Sequence, residues 1–271
     1  MTRRPTVPLL VALAGAIALA VTGALALGSD AVHERDAAML HGFFALDRPG
    51  IHDTFVRLTM LVDPGSYAAL GLLLAFVALV RGLPWRAGAV VALLVVTGVC
   101  TQTFKQLLAE PRFEPWLAGR QIGEASWPSG HSTAAMTLAL CAVLVAPPAL
   151  RALTAVLGGA FAAAVGYALL VLAHHFPSDV LGGFLMAGIW TALAVAGLRV
   201  VEPRPVAERT PTRERLAPLG LAAAAAVAVV AVAVAPRDEL LYASERPTLV
   251  VGALGIAALA AVLSAGFARA A

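Results

Sequence analysis

From Val7 to Leu27 the chain runs 21 residues without a charged side chain. The hydrocarbon core of a bilayer requires about 20 mostly apolar residues in a helix, and runs of similar character recur to the end of the sequence. Eight spans are predicted, near 7–28, 64–80, 87–105, 131–148, 151–174, 178–200, 216–235 and 248–268. Alanine, valine and leucine dominate them. Sustained polar–apolar alternation of the barrel type is missing, so backbone polar groups must be satisfied within helices. At 60% hydrophobic and 13% charged residues, the chain does not read as a soluble domain. The expected fold is all-α: a polytopic membrane bundle with a six-span core (1–200), a cytoplasmic linker (201–215) and a two-span C-terminal tail (216–271). Pro203, Pro205 and Pro211 among alternating charges mark the linker. The first run is too long for the apolar region of a signal peptide and is read as an uncleaved helix.

Charge sets the orientation. Arg3 and Arg4 place the N-terminus in the cytoplasm. Counting spans then puts Arg81, Arg86, Arg151 and the stretch Arg199 to Arg215 inside, and the 105–131 loop, His175 and Asp179 outside. Arg35, Arg48, Arg57, Arg237 and Arg246 fall on the outer side too, mixed with carboxylates, so the bias supports this topology without deciding it. A net charge of +3, with arginines at segment ends, argues for topology and against a nucleic-acid partner. Cys100 and Cys141 lie in apolar runs and read as small hydrophobes. His33, His41 and His52 have no ligand-like spacing, so no metal site is expected. They belong to the segment 29–63, which is too polar to span. It is expected to lie on the outer surface as an amphipathic stretch, roofing a site or serving as a plain connector.

Three stretches at the ends of apolar segments carry the chemistry. Lys105, the chain's single lysine, lies seven residues before Arg112. Ionisable groups at membrane depth are costly and mark function, although interfacial cations also snorkel to water. An arginine fork and a lysine point charge together suit a phosphate. Next, Pro128-Ser129-Gly130-His131 opens an apolar helix, where free N–H groups and the helix dipole favour an anion. The same residues also suit an ordinary N-cap. Third, His175 precedes Asp179 by four residues. A carboxylate at that distance can hold one ring N–H and leave the other nitrogen free to attack, or it can simply complement a helix dipole.

Together these motifs resemble the type 2 phosphatidic acid phosphatase superfamily of membrane lipid phosphatases. Its pattern is Lys, six residues, Arg-Pro; then Pro-Ser-Gly-His; then Ser-Arg, five residues, His, three residues, Asp. The resemblance covers roughly residues 30–200. It implies His175 as a nucleophile forming a phosphohistidine, Asp179 as its orienting partner and His131 as the acid for the leaving oxygen. Lys105, Arg112, Ser129 and the Gly130 amide would bind phosphate, with no metal and no cofactor. Two departures stand out: Phe113 follows Arg112 where proline belongs, and Ala168-Leu169 replace the Ser-Arg pair. Arg120, His174 or a residue of 29–63 would have to supply the missing charge.

The expected function is hydrolysis of a lipid phosphate or diphosphate at the outer face of the cell membrane. The alternatives are a non-catalytic protein that binds or moves an anionic lipid, and a lipid phosphotransferase.

Overall fold

The computed structural model describes residues 5–202 and 237–270, and every regular element among them is helical. In chain order these are α1 (Thr6–Gly28), α2 (Asp30–Phe44), α3 (Pro49–Met60), α4 (Pro64–Val80) and α5 (Pro84–Leu107). After a loop with two short 3₁₀ turns come α6 (Gly130–Val145), α7 (Arg151–Val171), α8 (Pro177–Val201), α9 (Arg237–Ser244) and α10 (Pro247–Ala270). The expected span at 216–235 and most of the expected linker lie outside the described residues.

Among the described residues, six helices are long and apolar enough to cross a membrane: α1, α5, α6 with the turn before it, α7, α8 and α10. The expected span at 64–80 is a helix with those bounds, but it is short for a crossing. Alone, α4 has 17 residues, about 26 Å of helix, short of a hydrocarbon core of about 30 Å. It joins α3 at a bend of 55°, and only the two together are long and apolar enough for a crossing. Pro64 starts α4 after the break and supplies no N–H to carry α3 onward.

Helix α6 is the axis of the bundle. Of its 16 residues, 13 are buried, and it packs against α4, α5, α7, α8 and α10. A helix apolar on every side is one enclosed by others. The outer helices show the opposite pattern: Val91, Val95 and Val99 repeat every fourth residue along α5 and are exposed, a lipid-facing stripe. Hydroxyls join the inner faces. Tyr67 Oη bonds Thr97 Oγ1 at 3.1 Å, and Thr101 Oγ1 donates to Thr133 Oγ1 at 3.4 Å.

The two ends of α6 differ in charge. At its C-terminus the free carbonyls of Leu144, Val145 and Ala146 accept from Arg86, Arg81 and Arg151, respectively, and Arg86 also forks onto Glu202 at 2.7 and 3.0 Å. Cations at a helix C-terminus oppose its partial negative charge. Arg81, Arg86 and Arg151, all assigned to the cytoplasmic side from sequence, thus gather at one end of α6, and Ser129 and Gly130 lie at the other.

The segment 29–63 forms α2 and α3. Its buried face on α2 includes Asp36, Leu40 and Phe43. Helix α10 backs α2 from outside. Tyr242 Oη donates to the Gly42 carbonyl at 2.9 Å, and a Cβ on Gly42 would come within 3.2 Å of Leu249. Tyr167 of α7 donates to Ala253 at 2.7 Å, tying α10 to the core as well.

Candidate active site

The site is built where the starts of α6 and α8 meet. Helix α7 ends at Val171, and Ala173 adopts φ 52°. The Ala173 N–H donates to Leu170 O at 3.0 Å and the His174 N–H to Leu169 O at 2.8 Å, the paired bonds of a left-handed C-terminal cap. This cap reverses the chain and delivers His175 to the start of α8. Pro177 opens that helix, where its missing N–H is no loss.

Asp179, fully buried, sits in the first turn of α8. Its Oδ2 accepts from the Phe176 N–H at 3.0 Å and lies 3.2 Å from His175 Nδ1. With the carboxylate accepting from Nδ1–H, Nε2 is left as the lone-pair nitrogen, which has no hydrogen-bond partner among the described residues. Burial pushes the His175 imidazole below the ordinary histidine range. Asp179 pulls the other way, while Lys105 and His131 are close enough for their charges to push it down further.

Ser129 caps α6, its Oγ accepting from the Ser132 N–H at 3.3 Å. Its own N–H donates to the Asp179 carbonyl at 2.9 Å. The side chain of Ser129 is thus committed to its own helix and its N–H to α8. Among the described residues the Gly130 and His131 amides remain without acceptors at the helix start, where an anion is favoured.

Arg112 is placed differently from what its motif implies. It is 6% exposed, and its guanidinium lies 4.1 Å over the Phe176 ring. Nη2 donates to Asp179 Oδ1 and, at 2.6 Å, to Ser126 Oγ; Nη1 donates to Ser178 Oγ at 3.3 Å. Asp36 Oδ2 lies 3.5 Å from Nη1. Lys105, by contrast, is half-buried in the last turn of α5 and has no hydrogen bond or ion pair among the described residues. Of the two motif cations, only the lysine is uncommitted.

His131 Nε2 lies 3.0 Å from Asp63 Oδ1, at the break between α3 and α4. His174 is exposed, and its imidazole is lowered by partial burial and then by His131, His52 and Arg120. Arg120 therefore lies near the site, on the exposed loop. Leu169, at the position of the family's second arginine, is fully buried in the apolar core.

The sequence-derived residues therefore gather at one end of the bundle, with the His175–Asp179 pair buried and His131 at its edge. Four partners were not anticipated: Asp36, Asp63, Ser126 and Ser178. Asp36 carried a usable signal, because a carboxylate in register with Leu40 and Phe43 falls on the apolar face of α2. Among the described residues no group of three His, Cys, Asp or Glu side chains is arranged to hold a metal ion.

A membrane helix bundle with a His–Asp pair facing a capped helix start defines the class. Residues 86–201 match the family model of the PAP2 superfamily. The fold is that of a transmembrane PAP2-type phosphatidylglycerolphosphate phosphatase from Bacillus subtilis, 21% identical, with a TM-score of 0.58 over 72% of this chain and 99% of that one. No curated protein matches the sequence.

Proposed function

We propose that this protein is a membrane lipid phosphatase that cleaves a lipid phosphate or diphosphate through a phosphohistidine at the outer membrane face, without a metal. The match of residues 86–201 to the PAP2 superfamily model, and the likeness in fold to a phosphatidylglycerolphosphate phosphatase, support the phosphatase class. The observation that carries the reading is the buried His175–Asp179 pair, with Nε2 unbonded and Lys105 and His131 within electrostatic reach.

In this reading His175 Nε2 attacks phosphorus while Asp179 holds the Nδ1 proton and steadies the imidazole as charge develops. The ester oxygen departs with a proton from His131, whose ring Asp63 orients. Water then attacks the phosphohistidine, with His131 taking its proton, and inorganic phosphate leaves. Lys105 and the Gly130 amide neutralise the phosphoryl oxygens, and the dipole of α6 adds to them. Ser129 fixes the helix start that presents that amide. A headgroup at the bilayer surface brings its phosphorus to this depth while its chains remain in lipid.

The test is phosphate release by detergent-solubilised protein from a panel of lipid phosphates. His175→Ala should abolish release and the acid-labile phosphoenzyme; unchanged release would refute the nucleophile assignment. Leu169 in the place of the motif arginine favours a second reading, an anionic-lipid binder without turnover. Saturable binding with no phosphate released from any member of the panel would select it.

A further inference from the structure

We infer that Asp36, on the roof helix α2, is a positioning residue that sets the His175–Asp179 pair through Arg112 and Ser178. This rests on the phosphatase reading above for its kinetic consequence, but not for its geometry. Asp36 is 6% exposed and lies outside the family-matched segment.

Both oxygens of Asp36 are used. Oδ1 accepts the Ser178 N–H at 3.0 Å, and Oδ2 accepts the Ser178 hydroxyl at 2.5 Å. The same hydroxyl accepts from Arg112 Nη1 at 3.3 Å, and Nη1 is itself 3.5 Å from Asp36 Oδ2. Arg112 Nη2 reaches Asp179 Oδ1, while Asp179 Oδ2 holds His175. One guanidinium therefore bridges two buried carboxylates, and the second of these holds the imidazole. An arginine fork fixed at both ends has one orientation. Arg112 acts here as a strut, and Lys105 with the α6 amide remains to meet the phosphate.

The strut sets charge as well as position. The charged groups facing Asp36 are Arg112 from the loop and Asp179 from α8, with His175 beyond it; His33, one turn earlier on α2, is engaged by Glu114 at 3.0 Å. With Asp36 ionised, the guanidinium is shared between two carboxylates. Without that charge it acts on Asp179 alone, and the potential at His175 becomes more positive.

Asp36→Asn keeps the shape and removes the charge. In histidine-labelled protein, with the His175 resonance assigned by its loss in His175→Gln, the His175 imidazole should titrate at lower pH in Asp36→Asn than in wild type. The kcat should fall about tenfold to a hundredfold, the range for groups that orient a functional histidine, with KM little changed. The acid limb of the pH profile should move to lower pH. A merely structural role would scale the whole profile without moving its limb. Arg112→Lys, which keeps the charge but loses the fork, should cost activity that does not add to the loss from Asp36→Asn. An unchanged His175 titration in Asp36→Asn overturns the inference, as does full additivity of the two variants. If wild-type protein releases no phosphate from any lipid, the phosphatase reading fails and the titration still decides the role of Asp36.

Discussion

Ser129 and Asp179 are joined through their backbones, the N–H of one donating to the carbonyl of the other at 2.9 Å. This single bond couples the helix start proposed to receive the phosphate to the helix start that carries the partner of His175. The junction is possible because Gly183 lies alongside, where a Cβ would stand 2.7 Å from the Ser129 carbonyl and 2.9 Å from the Ser132 Cβ. Both neighbours belong to helix backbone or to its first atoms and cannot swing aside.

Gly183→Ala should therefore part α6 from α8. Overpacking of this kind costs about 1–3 kcal/mol. Thermal denaturation in detergent should show the loss, and kcat should fall with it, because the displaced residues are those around the proposed phosphate.

Activity should decline as pH drops through about 6. The proposed nucleophile must be neutral, and burial holds the His175 imidazole below its ordinary range, so it stays unprotonated where an exposed histidine would not. Asp36 is pushed up to about 6, chiefly by burial, and its protonation would release the Arg112 strut in the same range. A profile of kcat/KM against pH should show an acid limb there in wild type and a lower one in Asp36→Asn.

Stability should respond in the opposite sense. A carboxyl raised from 3.8 to about 6 on folding stabilises the protein below its unfolded value, and that contribution is lost as pH rises through about 6. At neutral pH the ionised group thus costs up to about 3 kcal/mol. The Tm of Asp36→Asn relative to wild type should therefore rise between pH 4 and pH 7.5, because only wild type acquires the buried charge over that range.

Much of this was legible in the residues themselves. Uncharged runs of membrane length gave α1, α5, α7, α8 and α10, because in lipid the backbone has few alternatives to helix. The motif spacing gave Lys105, Ser129, His131, His175 and Asp179 one common end of the bundle. What the spacing could not give was commitment. Nothing in the stretch from Lys105 to Arg112 reveals that the arginine engages two buried carboxylates, since one of these, Asp36, comes from a helix more than 70 residues earlier. The second role of Asp63 was missed for a related reason. In sequence it reads only as the boundary before the 64–80 span, and it is both that boundary and the partner of His131.

Restoring the family's arginine at Leu169 should not restore a phosphate ligand. Leu169 is fully buried among apolar side chains, and its carbonyl closes the α7 cap. A guanidinium there would lie unpaired in the core, a change in the class that costs several kcal/mol. Leu169→Arg should express poorly and melt early, with no gain in kcat/KM. Higher activity from the variant would mean that the turn before His175 can repack to bring residue 169 into the site.

The orientation can be read with two single cysteines in a background carrying Cys100→Ala and Cys141→Ala. Gly119 is exposed on the loop that follows Lys105, and Ala149 is exposed between α6 and α7, at the end where Arg81, Arg86 and Arg151 gather. Arginine-rich ends are retained in the cytoplasm, so Gly119→Cys in intact cells should react with a membrane-impermeant maleimide. Ala149→Cys should react only after permeabilisation. The reverse pattern would turn the His175 site towards the cytoplasm and replace the outer-leaflet lipid phosphate with one presented from inside the cell.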